Sequence, residues 1–324
     1  MRTIEEYQNL LNEYLTNINI PNQPNNLYEP IKYFMSIGGK RMRPILTLMS
    51  AEIFGCDYKK AFHAATAVEL FHNFSLIHDD IMDDAPLRRG NQTVHEKWDV
   101  NTAILSGDAL LILAYQYFEN YEPHIFKSLA KIFSKTALEV CEGQQYDVDF
   151  EQRDDVSIDE YILMIKYKTA VLVAAAMKMG AVIAETSDKN ADLIYEFGLN
   201  LGIAFQLQDD YLDAFGDPLT FGKQVGGDII ENKKTYLYLK AIELATPEVK
   251  NQLVNLFSIK PQDPTQKIAS VKQYFIETEA AVKTQELIEA YTLKAFNTLN
   301  ELDVEASEKQ GLIDFGNFLM KRNV

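Results

Sequence analysis

One stretch decides how the chain folds: FHNFSLIHDDIMDD, residues 71–84. It begins as an apolar helical run and ends in four carboxylates. On a helix of about 3.6 residues per turn, Asp79 and Asp83 lie one above the other on the same face, with Asp80 beside them. This much negative charge at the end of a buried helix is costly unless a cation is present. Mg²⁺ fits, because it takes hard oxygen ligands and is shared between carboxylates and a phosphate.

The same spacing recurs in Asp209-Asp210-Tyr211-Leu212-Asp213, which follows the apolar residues 202–208. Either motif by itself is equally compatible with a solvated helix face. Two copies are harder to explain in that way, since each closes an apolar helix and each precedes a basic, glycine-containing loop. The pair indicates a site for metal and diphosphate.

Composition excludes some classes of function. The 324 residues are ample for a sizeable core, and 47% apolar with 24% charged residues is ordinary for a globular protein. A formal net charge of −16 argues against nucleic acid as a partner, because phosphate backbones are bound by basic surfaces. Any diphosphate must therefore be bound by local basic clusters and by metal.

The chain lacks the marks of secretion or of a membrane span. Cys56 and Cys141 have neither disulfide-framework nor metal-ligand spacing, and acidic residues follow Met1 where a signal peptide has its apolar core. The longest apolar run, residues 170–177, is too short to cross a bilayer. We expect a cytoplasmic protein with no stable membrane insertion.

Helical periodicity runs through the sequence, and no stretch shows the sustained alternation of a half-buried strand. Neither a Gly-x-Gly-x-x-Gly motif nor a Walker loop is present, which disfavours nucleotide binding. We predict an all-α fold with a single domain over residues 1–324, a helical bundle whose site lies between facing helices. Helices are predicted at about 4–14, 28–37, 61–83, 101–120, 123–146, 157–186 and 190–213, with a loop at 85–91 and shorter helices beyond 246.

Two basic loops are candidates for binding phosphate. Residues 38–44 place Lys40, Arg41 and Arg43 beside two glycines, which favours an anion cradle, although cations near a helix C-terminus also complement its dipole. Arg88 and Arg89 follow the first aspartates and offer the planar donor fork that suits phosphate. The alternative for the second pair is simple neutralisation of the neighbouring aspartates.

For the remaining polar residues, the sequence is compatible both with a role in the site and with an ordinary structural role. Lys168 lies next to Thr169 in an otherwise apolar helix and can equally extend to solvent. Lys223 and Lys233 follow the second aspartate motif, where a diphosphate would need point charges. His72 is equally an ordinary core histidine, and His78 is a hydrogen-bonding neighbour rather than a ligand.

Taken together, these motifs resemble the trans-isoprenyl diphosphate synthases of the polyprenyl synthetase family, of the short-chain geranylgeranyl/farnesyl type. The matches run in the family's order from about residue 35 to 240. They comprise Gly39-Lys40-Arg41-Met42-Arg43-Pro44, the two aspartate motifs with Arg88-Arg89-Gly90 after the first, Glu142-Gly143-Gln144, Lys168-Thr169, Phe221-Gly222-Lys223, and Gly227-Asp228-Ile229 leading to Lys233-Lys234-Thr235.

The resemblance implies the isoprenoid synthase fold, usually as a homodimer, with the aspartate motifs facing each other across a central cavity. It implies that isopentenyl diphosphate condenses with an allylic diphosphate after Mg²⁺-assisted ionisation, with three ions present when substrate is bound. The metal would be bound by Asp79, Asp83 and Asp209, with Asp80, Asp210 and Asp213 supporting.

The resemblance also divides the other residues between the two substrates. Contacts to the allylic diphosphate are expected from Arg88, Lys168, Lys223 and Lys233. Lys40, Arg43, His72 and Arg89 would bind isopentenyl diphosphate. Thr169 and Gln206 would lie near the reacting carbon.

Product length should depend on the depth of the cavity upstream of Asp79. Phe74 lies five residues earlier, about 7.5 Å along the helix at 1.5 Å per residue, where an aromatic resembles the floor of short-chain members. Ser75 is small where farnesyl-specific animal-type enzymes tend to carry a second aromatic, and Phe71 closes the pocket further. The main product expected is geranylgeranyl diphosphate, and farnesyl diphosphate is the second candidate.

Three alternatives remain open on the sequence. A metal-dependent phosphohydrolase would use His78-Asp79 but leaves the second aspartate motif without a role. A class I terpene cyclase usually replaces that motif with an Asn/Ser/Glu pattern. A non-catalytic subunit of a heteromeric synthase is expected to have lost aspartates or arginines. Asp84, the fourth carboxylate of the first motif, has no assigned role.

Overall fold

A computed structural model describes residues 2–217 and 225–320. The first ten α-helices, α1 to α10 in chain order, are Ile4–Thr16, Asn25–Ser36, Met42–Ile53, Phe62–Met82, Val94–Lys97, Val100–Phe118, Pro123–Glu151, Ile158–Ile165, Val171–Ile183 and Asp188–Phe215. The later α-helices are Gly227–Glu231, Tyr236–Leu244, Pro247–Leu256, Thr265–Glu277, Ala280–Asn300 and Ala306–Met320. The predicted all-α fold is confirmed.

The predicted loop at 85–91 is instead a tight hairpin. Strand β1, Leu87–Arg88, pairs antiparallel with strand β2, Asn91–Gln92. Arg89 and Gly90 lie between the strands with φ of 52° and 76°. Positive φ at both central residues is the requirement of a two-residue hairpin turn, which a β-period search over longer windows misses. The turn fixes the backbone positions of Arg88 and Arg89.

The single helix predicted over 157–186 is interrupted. A π-helical turn, Lys166–Ala170, separates α8 from α9. A side chain at Gly143 of α7 would lie 2.2 Å from the backbone nitrogen of Lys168, so the glycine permits a close approach of α7 to this turn. Such single π turns often mark functional sites, and this one carries Lys168 and Thr169.

The chain divides into two compact units, and a single domain over residues 1–324 stays a prediction. The first unit comprises the described residues of 2–134, 175–192 and 304–311. Its centre is α4, which packs against α3 and α6. Residues 64–71 of α4 are buried, and their alanines allow this close packing. The helix thus runs from this buried region to the first aspartate motif at its C-terminal end.

The second unit comprises 135–174, 193–217, 225–303 and 312–320. Helix Tyr236–Leu244 packs against α8 and Ala280–Asn300, and Thr265–Glu277 packs against Ala280–Asn300. Lys267 is 3% exposed, and its ammonium donates to the carbonyls of Ile230 at 3.4 Å and Ile259 at 2.9 Å. It thereby connects helix Gly227–Glu231 to the segment around Ile259. The backbone N–H of Gly226, just before that helix, donates to the carbonyl of Asp213 at 2.6 Å and so connects it to the end of α10, where the second aspartate motif lies.

Two further observations bear on the sequence-based expectations. In the part of the chain that the structure describes, no helix combines the length and apolarity needed to cross a bilayer. Cys56 and Cys141 are both free thiols, as their spacing predicts.

Candidate active site

The first aspartate motif lies at the C-terminal end of α4. Asp79 is half-buried, Asp80 is buried and Asp83 is exposed. Arg88, from β1, donates from Nε to Asp80 Oδ1 at 2.6 Å, and its Nη2 lies 3.6 Å from Asp79 Oδ2. Burial raises the pKa of Asp80, and the hydrogen bond from Arg88 opposes that shift. Arg88 therefore neutralises Asp79 and Asp80 of the motif.

The three cations of residues 38–44 do not act together. Arg41 is 8% exposed and makes a buried ion pair with Glu69, while its Nη2 donates to the carbonyl of Met35 at 2.8 Å. Asn73 donates to Glu69 Oε1 at 2.8 Å. An arginine that is buried and paired in this way fixes the loop and is not available to an anion. The cradle predicted from three cations is thus reduced to Lys40 and Arg43.

A basic surface forms where α3, α4 and the hairpin meet. Arg43 Nη1 lies 3.2 Å from His72 Nε2, and since a guanidinium only donates, Nε2 is the acceptor and Nδ1 carries the proton. Burial, followed by the charges of Arg43 and Arg89, lowers the pKa of His72 well below its usual value, so the ring stays neutral. The guanidinium of Arg89 lies against Gly39, where a Cβ would be 2.4 Å from its Nη1.

That arrangement gathers the residues expected to bind isopentenyl diphosphate. Arg43, His72 and Arg89 lie together, and Lys40 follows Gly39 in the chain. They leave one neutral N–H donor among positive charges, which suits a diphosphate.

An aromatic cluster surrounds the residues expected to set product length. The rings of Phe71 and Phe74 are 5.5 Å apart, and Phe71 packs edge-on against Phe133 of α7 at 5.1 Å. Phe133 in turn contacts Tyr115 and Phe118 of α6. Phe71 is fully buried whereas Phe74 is half-buried, so Phe74 presents the accessible ring of the cluster. Ser75 lies beside it on α4, where its hydroxyl donates to the carbonyl of His72 at 2.9 Å.

In the second unit, Asp210 is the centre of a hydrogen-bonded network. Tyr161 of α8 donates to Asp210 Oδ2, and Gln206 donates to Asp210 Oδ1 at 2.8 Å. The hydroxyl of Thr169 donates to Gln206 Oε1 at 3.0 Å. The predicted site residues Thr169, Gln206 and Asp210 thus lie side by side. Both oxygens of Asp210 are occupied by neutral donors, which orients the carboxylate.

Four carboxylates of this unit repel one another. Burial raises the pKa of Asp210 to about 7, with a further contribution from Asp209. Burial raises the pKa of Asp228 to about 8, and Asp210 and Asp213 add to that shift. The backbone N–H of Asp228 donates to Asp213 Oδ2 at 3.0 Å. Clustered oxygen donors that retain protons at neutral pH fit a hard divalent cation, whose binding would remove the repulsion.

Lysines lie around the same carboxylates. Lys168 donates from Nζ to Asp147 Oδ2 at 2.5 Å. The lysine therefore makes an ion pair instead of extending to solvent. Lys233 lowers the pKa of both Asp210 and Asp228 through its charge. One pocket is lined by all of these residues together with Tyr161, Thr169 and Gln206. Lys223 lies outside the described residues.

Sequence reasoning missed three members of this pocket. Asp228 lies in the Gly227-Asp228-Ile229 motif, to which the sequence analysis gives no role. Asp147 and Tyr161 belong to no motif that would have indicated a functional site. Tyr161 lies seven residues before Lys168 on the apolar face of α8, where the sequence shows an ordinary core aromatic. Only the folded chain brings its hydroxyl to a carboxylate 49 positions away.

Comparison with known proteins identifies the family. Residues 24–275 match the polyprenyl synthetase family. The chain belongs to that family. It is 40% identical over 243 residues to a geranylgeranyl pyrophosphate synthase of Geoglobus acetivorans, which covers 74% of this chain and 76% of the relative. It is 34% identical over 347 residues to a geranylfarnesyl diphosphate synthase of Natronomonas pharaonis, over 99% and 97% of the two chains.

Solved crystal structures support the same family assignment. A geranylgeranyl pyrophosphate synthase crystal structure has a TM-score of 0.96 and 53% identity over 100% of both chains. The enzyme from Pyrococcus horikoshii Ot3 has a TM-score of 0.91 and 34% identity over 99% and 97%. The predictions of an isoprenoid synthase fold and of a trans-prenyltransferase are confirmed. The phosphohydrolase, cyclase and non-catalytic alternatives are not favoured.

Proposed function

We propose that this protein condenses isopentenyl diphosphate with allylic diphosphates, head to tail, to make geranylgeranyl diphosphate as its main product. The single observation that carries the proposal is the pocket around Asp210, which is lined by both acidic and basic side chains. Its carboxylates suit a divalent cation, and its lysines suit the diphosphate bound to that cation. The names of the relatives support the product class.

Metal and allylic substrate are assigned to both aspartate motifs. Asp79, Asp83 and Asp209 would bind Mg²⁺, with Asp80, Asp210 and Asp213 in support. Bound Mg²⁺ would supply charge stabilisation for the departing diphosphate. Arg88, Lys168, Lys223 and Lys233 would contact the same diphosphate. Arg88 and Lys168 have carboxylate partners within their own units, so each would exchange a carboxylate for phosphate oxygens when substrate binds.

The second substrate is assigned to the basic surface of the first unit. Lys40, Arg43 and Arg89 would bind the diphosphate of isopentenyl diphosphate, and His72 would donate its Nδ1–H. Held there, the double bond would attack the carbocation that forms when the allylic C–O bond ionises, and a proton would then leave to the released diphosphate. No protein nucleophile is needed, so positioning and preorganised charge supply the catalysis. Thr169 and Gln206 would lie near the reacting carbon.

A product assay tests the proposal. Purified protein receives Mg²⁺, isopentenyl diphosphate and, in separate reactions, dimethylallyl, geranyl or farnesyl diphosphate, and chain lengths are read by mass spectrometry. We expect elongation of every starter, ending mainly at geranylgeranyl diphosphate with farnesyl diphosphate next. A main product of farnesyl or geranylfarnesyl diphosphate would overturn the product assignment and keep the reaction. Phosphate release without a new carbon–carbon bond, a cyclised hydrocarbon, or no turnover would overturn the reaction itself.

A further inference from the structure

His95 is a buried histidine whose ring has no hydrogen-bond partner. The residue is 9% exposed, and both Nδ1 and Nε2 lack a hydrogen bond to any described group. Nε2 lies 3.9 Å from a carboxylate oxygen of Glu96, which is beyond hydrogen-bonding distance. A neutral imidazole offers one donor and one acceptor, and leaving both buried and unused is unfavourable. The ring therefore points to a ligand.

Two carboxylates converge on this histidine. One ligand atom each from Asp84, His95 and Glu96 lies within 4.8 Å of the other two. Asp84 follows α4 with a φ of 48°, and its N–H donates to the carbonyl of Ile81 at 3.3 Å. Both carboxylates are exposed, so their side chains are free to adjust. The closing movement needed is small, because metal–ligand distances of about 2.0–2.2 Å place ligand atoms about 3.4 Å apart in a tetrahedron.

We propose that Asp84, His95 and Glu96 bind a divalent transition-metal ion of the zinc class. Imidazole nitrogen with two carboxylate oxygens is a donor set typical of Zn²⁺ and Co²⁺, whereas Mg²⁺ prefers oxygen ligands throughout. Three protein ligands leave the fourth position to water. None of the three side chains has a role in the proposed binding of diphosphate, and the site gives Asp84 a function.

The ion would cross-link the two ends of the arginine hairpin. Asp84 precedes β1, whereas His95 and Glu96 lie in α5 after β2. Between them lie Arg88 and Arg89, whose positions depend on this segment. Binding would therefore stabilise the hairpin against local opening.

Trp98 provides a local reporter, because it is the single tryptophan of the chain and lies two residues after Glu96. Purified full-length protein, freed of metal and kept in excess Mg²⁺, is titrated with Co²⁺ while tryptophan fluorescence is followed. We expect saturable quenching that Zn²⁺ competes away. Asp84→Asn and Glu96→Gln should each weaken Co²⁺ binding by at least about tenfold, since even an outer-shell partner is worth ten- to a hundredfold in affinity.

The control is His124→Gln, which removes an exposed histidine whose Nε2 lies 2.9 Å from a carboxylate oxygen of Glu185. Among the described residues that pair has no third ligand, so the variant should bind Co²⁺ as the natural protein does. Equal quenching in the natural protein and in both carboxylate variants would overturn the proposal. So would the absence of saturable quenching in excess Mg²⁺. Both carboxylates are exposed, so their replacement leaves folding intact.

Discussion

Arg41 and Arg43 are two positions apart and have different tasks. Arg41 is buried with Glu69, so its charge is neutralised where the loop enters α3. Arg43 lies against a neutral histidine and keeps its positive charge for a ligand. Removing one partner of a buried pair leaves an uncompensated charge, which is strongly destabilising. The first arginine therefore serves the fold, and the second is the one that we propose binds isopentenyl diphosphate.

Tyr161 orients Asp210 through a hydrogen bond that Tyr161→Phe removes. One buried oxygen of Asp210 is then left without its donor. A hydrogen bond to a charged group contributes about 1.5–3 kcal/mol, so we expect kcat to fall roughly ten- to a hundredfold. Because ionised Asp210 loses support, the Mg²⁺ concentration for half-maximal rate should rise. Steady-state kinetics across a series of Mg²⁺ concentrations measures both effects.

Tyr211→Phe is the matched control for that change. Tyr211 is next to Asp210 on α10, is also buried, and accepts a hydrogen bond from Gln285 at 2.9 Å. The replacement removes the hydroxyl of a buried tyrosine without removing a hydrogen bond to a carboxylate, so the Mg²⁺ dependence should not change. If both variants shift it equally, Tyr161 acts only through packing.

At the scale of the helix, α4 contains both the first aspartate motif and the aromatic residues that we predict form the floor of the product cavity. Phe74→Ala removes the accessible ring of the cluster that contains Phe71 and Phe133. The deepened cavity should extend the main product by at least one five-carbon unit, read by mass spectrometry. Phe62→Ala is the control, since Phe62 begins the same helix and stacks on Tyr14 instead. An unchanged product with Phe74→Ala would remove this residue as the floor.

The end of α10 and helix Gly227–Glu231 together create a pH-dependent site. Asp210 and Asp228 have pKa values raised to about 7 and about 8 in the folded protein, above the unfolded value of 3.8. The stability that they contribute is present below the unfolded value and is lost as pH rises through 7 and 8. Mg²⁺ should bind the ionised form, so it should raise Tm more at about pH 8.5 than at about pH 6.

Thermal unfolding with and without Mg²⁺ at both pH values measures this difference. Asp228→Asn provides the comparison, because it removes one repelling charge and should lower the pKa of Asp210. The pH at which Mg²⁺ begins to stabilise should then shift downward. An equal Mg²⁺ effect at both pH values in the natural protein would contradict the assignment.

For the molecule as a whole, the sequence predicts what depends on local patterns. Helical periodicity gave the fold class, and the bounds of α4 and α10 differ from prediction by one or two residues. The interruption at Lys166–Ala170 was missed because it depends on the approach of α7 through Gly143. Arg41 was misread and Tyr161 was overlooked for a related reason, since their partners are distant in sequence. The chemical type of a residue is local, whereas its partner is a tertiary property.

A second copy of the chain is the predicted partner, and α6 offers a surface for it. Leu105 and Ile112 on this helix are both 58% exposed, and burying them would remove apolar area from water. We expect a homodimer in sedimentation experiments, and the double change Leu105→Asp with Ile112→Asp should dissociate it, because a charge buried in an apolar interface lacks a partner. Leu293→Asp is the control, since Leu293 is 62% exposed on Ala280–Asn300 and lies in the other unit. A natural protein that sediments as a monomer would refute the dimer. A dimer that dissociates equally with Leu293→Asp would move the interface away from α6.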